Sequence, residues 1–407
     1  MLKHNLTELV ENSQNILLLQ GPIGSFFQDF SHWLVSQQKT LFKINFNQGD
    51  EYFYPLSNEP YNPYCYRGEL EQFKHFLQEF LYQHKIDTLI CFGDNRPYHK
   101  IAKILAEQNQ LNFWVFEEGY FRPHYVTLEK YGVNDFSKIP RKAEFFLQQM
   151  DQFTPVSEPE PLAPGFFPVA SLATRYYTQS YWNTQKYPNY FHHRILNINY
   201  YIKLWLISGY KKAYHYLPEK IFAHHVEKGR LGEFFIVPLQ VYDDSQVKVH
   251  SNFNSVRDFL VHVLDSFVQY APEHLNLIVK HHPMDRGFIS YKATIKDYIK
   301  RYPQLKKRLH YIYDMPLPVL LRKGKGMITL NSTSGLSALL HNMPVITLGR
   351  ANYNFQGLTH QGELTDFWHN PTPPNPEVFQ AYRQYHLCKT QINGSFYNKV
   401  ILDKVSN

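Results

Sequence analysis

Short apolar segments alternate with helix-like segments through most of this sequence, and that alternation constrains its fold more than any other feature. In the N-terminal part the apolar runs are Ile16–Gln20, Leu41–Phe46, Thr88–Phe92 and Asn112–Phe116. Stretches with a helical spacing of apolar residues separate them, and polar turns follow their ends. Strands that alternate with helices in this way predict βαβ units and a parallel, doubly wound sheet.

The alternation returns in the second half of the chain, where the apolar runs are Glu233–Leu239, Leu277–Lys280, Leu309–Ile312, Gly326–Leu330 and Pro344–Leu348. A chain of 407 residues is too long for one ordinary core, so two α/β domains are expected. The predicted fold class is therefore α/β, with two Rossmann-like domains facing a cleft. The predicted ranges are 1–150 for the N-terminal domain, 151–230 for a linker and an aromatic, basic helical region, 231–350 for the C-terminal domain, and 351–407 for a tail packing back on the body.

Charge and cysteine content limit the partners and the compartment. A formal net charge of +7 favours an anionic partner such as a nucleotide, a phospholipid headgroup or an acidic glycan. Nucleic acid is not expected, because the sequence has no dense Lys/Arg arm and no recognised nucleic-acid motif. Cys65, Cys91 and Cys388 are widely spaced, which suits a reduced cytoplasmic protein better than a disulfide framework. No apolar run reaches the roughly 18–20 residues that span a bilayer, and no secretory signal is recognised, so a cytoplasmic protein is expected.

The segment 171–223 is rich in tyrosine and carries basic residues such as Lys203, Lys211 and Lys212. Helices of this composition can lie on an anionic bilayer surface. The alternative is an ordinary pair of connecting helices packed on the core. Both interpretations fit the sequence.

Two glutamates follow the fourth apolar run. Glu117 and Glu118 are succeeded by Gly119, which lets the backbone turn beneath a bound ligand. Adjacent side chains point in different directions, so one carboxylate can face the cleft while the other holds structure. A carboxylate beside a low-dielectric cleft acts as a general base or as a nucleophile, depending on geometry. The alternative is a pair of solvated acids.

The run LIVKHHP (277–283) places a cation, two imidazoles and a proline at the carboxyl end of a strand, where open α/β sheets bind ligands. His282 precedes Pro283 and is suited to hold a phosphate oxygen or to protonate a leaving group, and Lys280 adds charge. His281 and His282 are adjacent on a strand and face opposite ways, so no metal site is predicted.

Two further turns are candidates for phosphate binding. Ser332, Thr333 and Ser334 stand at a predicted helix start, where hydroxyls and free N–H groups form a phosphate site without a metal. A simple helix cap is the alternative. The turn GPIGS lacks the spacing of a P-loop, so Gly21 and Gly24 either present backbone N–H groups to a ligand or serve tight packing.

Three short motifs, taken together, resemble those of bacterial CMP-sugar glycosyltransferases of the two-domain GT-B type: EEG at 117–119, HP at 282–283 and the Ser/Thr turn at 332–334. Longer stretches resemble the capsular polysaccharide proteins of the KpsS/LipB type over nearly the whole chain, thinning at 151–230 and in the last residues. Among these stretches are FGDNRPYHKIA (92–102), KHHPMDRG (280–287) and NSTSGLSALLHNMPV (331–345). The chain departs from the pattern of these proteins at Gln48, where a small residue is expected.

The resemblance implies a β-Kdo transferase that uses CMP-β-Kdo as donor and needs neither cofactor nor metal. It would add the first Kdo to a (lyso)phosphatidylglycerol acceptor, starting the lipid-anchored poly-Kdo linker of a capsular polysaccharide. Family members are retaining enzymes, located peripherally on the inner face of the cytoplasmic membrane. A second Kdo transferase and the capsule export machinery are the implied protein partners.

The resemblance also assigns roles. The catalytic residues would be Glu117 or Glu118 together with His282, which would hold the CMP phosphate. The implied substrate-binding residues are Gly21, Gly24, Asp94, Arg122, Lys280, Pro283, Arg286, Ser332, Thr333 and Ser334.

Two rival functions remain open: a CDP-alcohol phosphotransferase of the teichoic-acid type, and a non-catalytic component of capsule assembly or export.

Overall fold

The computed structural model describes residues 2–55, 63–154, 156–191 and 198–403. Within them the strands are β1 (Asn15–Leu18), β2 (Thr40–Asn45), β3 (Pro63–Cys65), β4 (Thr88–Phe92), β5 (Asn112–Glu118), β6 (Tyr125–Lys130), β7 (Phe234–Pro238), β8 (Asn276–Lys280), β9 (Leu309–Ile312), β10 (Gly326–Thr329), β11 (Val345–Thr347) and β12 (Gln391–Asn393). The helices are α1 (Asn5–Glu11), α2 (Phe26–Ser36), α3 (Gln48–Phe53), α4 (Phe73–Gln83), α5 (Pro97–Gln108), α6 (Ala143–Leu147), α7 (Phe166–Trp182), α8 (Ile198–Glu227), α9 (Ser245–Val249), α10 (Val256–Tyr270), α11 (Lys292–Arg301), α12 (Leu317–Leu321), α13 (Ser334–Leu340), α14 (Leu364–His369) and α15 (Pro376–Lys389).

The chain forms two compact units. The first unit contains Met1–Ile139, Gln149–Ile198 and Arg383–Asn407, and the second contains Pro140–Gln148 and Asn199–Tyr382. Both units are discontinuous in sequence, whereas the four predicted ranges were continuous. The difference arises mainly because the last part of the chain returns to the first unit, where β12 pairs with β6.

In the described residues the first unit holds a sheet of seven strands in the order β12-β6-β5-β4-β1-β2-β3. The five strands from β5 to β3 run parallel, while β6 and β12 are antiparallel to their neighbours. The sheet is buried on both faces: Leu18 lies in one apolar cluster with Phe30 of α2, and Leu17 lies in another with Leu77 of α4. Burial on both faces explains why its strands appear as continuous apolar runs in the sequence.

Strand β5 is longer than the sequence indicated. The prediction ended this strand at Phe116, but Glu117 and Glu118 also belong to it, because they pair with Thr127 and Val126 of the antiparallel strand β6. A Cβ atom on Gly119 would collide with the carbonyl oxygen of Tyr125. In this structure Gly119 therefore permits the close approach of the β5–β6 connection.

The second unit holds, in its described part, a sheet of five parallel strands in the order β11-β10-β7-β8-β9. Phe235 and Val279 pack with Leu264 of α10 and Trp368 of α14 in one continuous core. The predicted class, mixed α/β with parallel sheets, is confirmed in both units.

The aromatic and basic segment is divided between the units. In the first unit α7 packs on α3, and the helices approach so closely that a Cβ on Gly49 would lie 2.6 Å from the ring of Tyr176. In the second unit α8 packs on the ends of β8 and β9 through contacts such as Glu219 with Tyr313. Both helices pack on a core, as the connecting-helix alternative expects, and both leave large apolar side chains exposed. In the part of the chain that is described, no helix combines the length and apolarity needed to cross a membrane.

Candidate active site

The carboxyl edge of the first sheet collects several of the predicted residues. The strands β1, β4 and β5 are neighbours in this sheet and run parallel, so the turns that follow them lie along one edge. Polar groups at this edge face the region where open α/β sheets bind ligands. The predicted residues in or just before these turns are Gly21, Gly24, Asp94, Glu117, Glu118 and Arg122.

The two carboxylates of β5 lie on opposite faces of the sheet. Successive side chains of a strand point to opposite faces, so Glu117 shares its face with Val115, and Glu118 shares its face with Phe116. Val115 and Phe116 belong to different apolar clusters, one on each side of the sheet. On one face, Oε1 of Glu118 accepts a hydrogen bond from the hydroxyl of Tyr397 at 3.0 Å. On the other face, Oε1 of Glu117 accepts one from the amide N–H of Glu118 at 3.0 Å. Within the described ranges, Glu118 is thus the one of the two that accepts a hydrogen bond from a side chain in a distant part of the chain.

Glu117 has the electrostatics of a group that titrates near neutral pH. The pKa of its carboxyl is raised from 4.5 to about 7, chiefly by burial, and the nearby carboxylates of Glu118 and Asp94 act in the same direction. The hydrogen bond from the Glu118 amide and the charge of Arg122 act in the opposite direction. A carboxyl group whose pKa lies near 7 can gain or lose a proton at physiological pH.

Asp94 is placed as a structural neighbour of Glu117. It is 2% exposed, and its Oδ2 accepts a hydrogen bond from the backbone N–H of Val133 at 3.3 Å. The same oxygen lies 4.0 Å from Nζ of Lys103 on α5. These contacts tie the turn after β4 to α5 and to the loop after β6, so Asp94 contributes its charge to Glu117 from within the protein.

Arg122 differs from Asp94 because it is exposed. Its Nε donates to the carbonyl oxygen of Gly119 at 3.4 Å, which leaves the terminal nitrogens of the guanidinium group for an anion. Its charge lowers the pKa of both Glu117 and Tyr397 to a minor extent. A planar guanidinium in this position suits a carboxylate or a phosphate.

The two glycines of the turn after β1 each meet a local requirement of the fold. A Cβ on Gly21 would lie 2.8 Å from the ring of Phe27, and Gly24 has a φ of 116°, which favours glycine. Sequence analysis missed Arg96, whose Nη1 lies 3.5 Å from the carbonyl oxygen of Gly21. This contact joins the turn after β1 to the turn after β4. A basic residue directly before the helix-starting Pro97 was the signal available in the sequence.

In the second unit, His282 and the Ser/Thr turn also lie at one sheet edge. His282 follows β8 and Ser332 follows β10, and these parallel strands flank β7. The two strand ends are therefore separated by about 10 Å, which is twice the spacing of adjacent strands. A ligand of nucleotide size can span that distance.

The ring of His282 is oriented by the backbone. Its Nδ1 accepts a hydrogen bond from the N–H of Met284 at 3.2 Å, so the proton of the neutral ring lies on Nε2. His282 is half-buried, and Pro283 begins the short 3-10 turn that follows it. Its neighbour His281 is fully buried against Tyr311, with Nδ1 at 2.7 Å from the hydroxyl, and burial lowers the pKa of His281 to about 4.

Lys280 and Arg286 lie in contacts within the protein. Lys280 is 8% exposed, its Nζ donates to the carbonyl oxygen of Tyr313 at 3.4 Å, and burial lowers its pKa to about 8. Arg286 forms an ion pair with Asp314, and its Nε donates to Oγ of Ser208 on α8 at 3.3 Å. Arg286 thus fixes α8 to the segment after β8, and Lys280 joins the end of β8 to the segment after β9.

The Ser/Thr turn is half-buried and leads into α13. Oγ of Ser332 lies 3.2 Å from both the hydroxyl and the amide nitrogen of Ser334, and its carbonyl oxygen accepts from Tyr353 at 2.5 Å. Thr333 is the N-cap residue, but its side chain makes no capping hydrogen bond. The turn thus keeps a hydroxyl that helix capping does not use.

Metal ligands do not gather in the described ranges: no group of three or more His, Cys, Asp or Glu side chains is placed to hold an ion.

Sequence analysis also missed Tyr397, whose hydroxyl donates a hydrogen bond to Glu118. No local pattern signals this contact, because it joins residues from opposite ends of the first unit.

Comparison with known proteins gives consistent matches over the chain. A family model described as "Capsule polysaccharide biosynthesis protein" matches residues 87–397. The chain is 53% identical to the capsule polysaccharide modification protein LipB of Neisseria meningitidis serogroup B, over 100% of this chain and 98% of the relative. It is 36% identical to the capsule polysaccharide export protein KpsS of Escherichia coli, over 97% of this chain and 99% of the relative. Among solved structures, the β-Kdo 2,7 transferase KpsC of Thermosulfurimonas dismutans aligns with 14% identity over 84% of this chain and 89% of that chain, with a TM-score of 0.36.

Proposed function

The chain belongs to the capsule polysaccharide biosynthesis protein family, and on that basis we propose that it is a glycosyltransferase of capsule synthesis. The observation that carries the proposal is Glu117, a carboxyl group with a pKa of about 7 at the carboxyl edge of a parallel sheet. A group of this kind serves as the base or the nucleophile of a sugar transfer.

We propose CMP-β-Kdo as the donor and (lyso)phosphatidylglycerol as the acceptor, with retention of configuration. The CMP-sugar class of the donor follows from the resemblance of the EEG, HP and Ser/Thr motifs to those of CMP-sugar transferases. Kdo and the acceptor follow from the resemblance of the longer stretches to capsular proteins of the KpsS/LipB type. Transfer starts the lipid-anchored poly-Kdo linker of the capsule. The enzyme acts on the inner face of the cytoplasmic membrane, next to a second Kdo transferase and the export machinery. This setting agrees with the name of its relative, the capsule polysaccharide export protein KpsS.

Glu117 is the better candidate for the acting carboxylate. Glu118 accepts a hydrogen bond from the Tyr397 hydroxyl and is held by it, whereas Glu117 accepts a hydrogen bond from the adjacent amide of Glu118. In the proposed first step an oxygen of Glu117 attacks the anomeric carbon of Kdo, and the bond from that carbon to the phosphate oxygen breaks. CMP leaves with the electron pair. In the second step the acceptor hydroxyl attacks the same carbon, loses its proton to solvent, and releases Glu117.

Three of the predicted phosphate-binding residues and one exposed arginine recognise the donor in this proposal. His282 donates from Nε2 to the CMP phosphate, because its Nδ1 is occupied by the Met284 amide. The hydroxyls of Ser332 and Thr333 assist, and neither needs a metal ion for this role. Arg122 is favoured for the carboxylate of the sugar because its guanidinium is exposed.

The remaining predicted residues have supporting roles in this scheme. Asp94, Lys280 and Arg286 hold neighbouring elements through buried contacts, and Gly21 and Gly24 permit the turn after β1. None of the five needs to touch the reacting atoms for the scheme to operate.

The test uses the purified full chain and two alternative donors. One reaction contains CMP-β-Kdo with a lysophosphatidylglycerol, the other CDP-glycerol with the same acceptor, and lipid products are identified by mass spectrometry. A lipid heavier by one Kdo supports the proposal. Consumption of CDP-glycerol alone supports the phosphotransferase, and turnover of neither donor supports a non-catalytic assembly component.

A further inference from the structure

The long helix α8 has two distinct faces. Its inner face packs on the rest of the second unit through polar contacts as well as through buried apolar side chains such as Leu204 and Val226. Oγ of Ser208 accepts from Arg286, and Nζ of Lys211 donates to the carbonyl oxygen of Arg286 at 2.6 Å. The carboxylate of Glu219 accepts the backbone N–H groups of Tyr313 and Asp314 at 2.5 and 2.7 Å. These polar contacts fix the helix and its rotation about its own axis.

The outer face carries the apolar side chains. They recur at intervals of four, four, three and four residues, which places them on one side of a helix. Their exposed fractions run from 53% to 71%, and the rings of Tyr210 and Tyr214 stack with centroids 6.1 Å apart. An ordinary surface helix exposes mainly polar side chains on the side away from its core, so this row of exposed apolar side chains is the unusual feature of α8. The outer residues are Leu206, Tyr210, Tyr214, Leu217 and Ile221.

The charges around this stripe select its partner. Lys203 and Lys220 are exposed at helical positions on the outer face, and Lys212 is exposed on its flank beside Trp205. Of the two glutamates of α8, Glu219 points inward and Glu227 ends the helix. A second copy laid against this face would bring lysines together, which disfavours self-association.

We propose that the outer face of α8 lies on an anionic bilayer surface, with the helix in the plane of the interface. The apolar stripe enters the boundary of the acyl chains, the aromatic rings lie at headgroup level, and the lysines contact lipid phosphates. That this contact delivers the enzyme to its acceptor rests on the proposed function. The contact itself is independent of it and needs no turnover.

The test measures sedimentation of the full chain with sucrose-loaded vesicles, without donor. One vesicle population is pure phosphatidylcholine, and the other is phosphatidylcholine and phosphatidylglycerol in a two-to-one ratio. The double variant Leu206→Gln/Leu217→Gln removes apolar contacts, and Lys203→Glu/Lys220→Glu reverses charge. Leu340→Gln is the matched control, because Leu340 is 59% exposed on α13, close to the 62% of Leu217. Thermal unfolding checks that every variant is folded.

The expected result is binding to the phosphatidylglycerol vesicles that weakens with salt. Each double variant lowers the partition coefficient at least about tenfold, and Leu340→Gln leaves it unchanged. Failure of the wild type to bind these vesicles overturns the inference, as does equal loss in the control. A dimer that the Leu206→Gln/Leu217→Gln variant dissociates, without vesicle binding, would assign the face to a second copy. Vesicle binding by a chain that transfers no sugar would refute the proposed function and leave this inference standing.

Discussion

The hydroxyl of Tyr397 donates a hydrogen bond to Oε1 of Glu118 at 3.0 Å, although 279 residues separate them in the chain. Burial and the charge of Glu118 raise the pKa of Tyr397, so its hydroxyl remains the donor. The returning C-terminal segment therefore holds one member of the acidic pair. Glu117, on the opposite face of β5, is left as the member that is available to react.

The rate of transfer should depend on pH through Glu117. The carboxyl must be ionised to act as nucleophile or base, and its pKa is raised from 4.5 to about 7. We therefore expect kcat to rise with pH, with a midpoint near 7, and to level off above it. Initial rates at saturating donor, measured from about two units below to two units above this pKa, test the prediction. A rate that stays constant down to the ordinary range of glutamate would contradict it.

The same shift affects stability. Between the unfolded value of 4.5 and the folded value of about 7, the native protein binds more protons at Glu117 than the unfolded chain does. This group therefore costs stability progressively as pH rises through that window. Glu117→Gln keeps an oxygen for the Glu118 amide and removes the cost. We expect its free energy of unfolding, relative to wild type, to increase from pH 4.5 to pH 7 in urea titrations. A difference that does not change with pH would refute the raised pKa.

Tyr397→Phe should disturb the acidic pair without removing it. The ring is kept and the hydrogen bond to Glu118 is lost, so we expect a loss of about 1 kcal/mol in unfolding free energy. A shift in the midpoint of the pH–rate profile should accompany it, because Glu118 contributes to the pKa of Glu117. Tyr82→Phe is the control, since Tyr82 is 89% exposed on α4. An unchanged profile would limit Tyr397 to a structural role.

The variant His282→Asn distinguishes the roles of the two nitrogens of the imidazole ring. The asparagine oxygen can still accept the Met284 amide, but the donor at Nε2 is lost. We expect transfer to fall about 100-fold at an unchanged melting temperature. His281→Ala should instead lower the melting temperature, because His281 is fully buried against Tyr311. If His282→Asn kept the wild-type rate, the donor-phosphate role of His282 would be excluded.

The fold was predictable where short-range patterns of apolar and polar residues specify it. Apolar runs and helical spacing indicated the parallel strands of both units, apart from the short edge strand β3, and the polar residues at their carboxyl ends. The antiparallel strands β6 and β12 were missed, because Tyr125–Lys130 and Gln391–Asn393 are recognisable only through the partners they meet in the folded chain. Because β6 was not predicted, β5 was predicted to end two residues too early. Gly119 was given a ligand-related role for the same reason, whereas its close packing against Tyr125 explains why a glycine is needed there.

The candidate site was predictable in residue type more than in role. Arg122 and Lys280 are both basic residues near strand ends, and the sequence could not show that one is exposed and the other buried. The burial that raises the pKa of Glu117, and the contact that holds Glu118, depend on packing between distant segments. These are properties of tertiary structure that no local spacing encodes.

The most direct test of the account is the rate of Kdo-lipid formation by Glu117→Gln and by Glu118→Gln, measured by mass spectrometry under saturating CMP-β-Kdo and lysophosphatidylglycerol. Both glutamines keep an oxygen that can accept the hydrogen bonds seen in the structure. We predict that Glu117→Gln lowers the rate at least about 1000-fold, while Glu118→Gln lowers it less than about tenfold. A Glu117→Gln enzyme that forms the product at a near-wild-type rate would contradict the account.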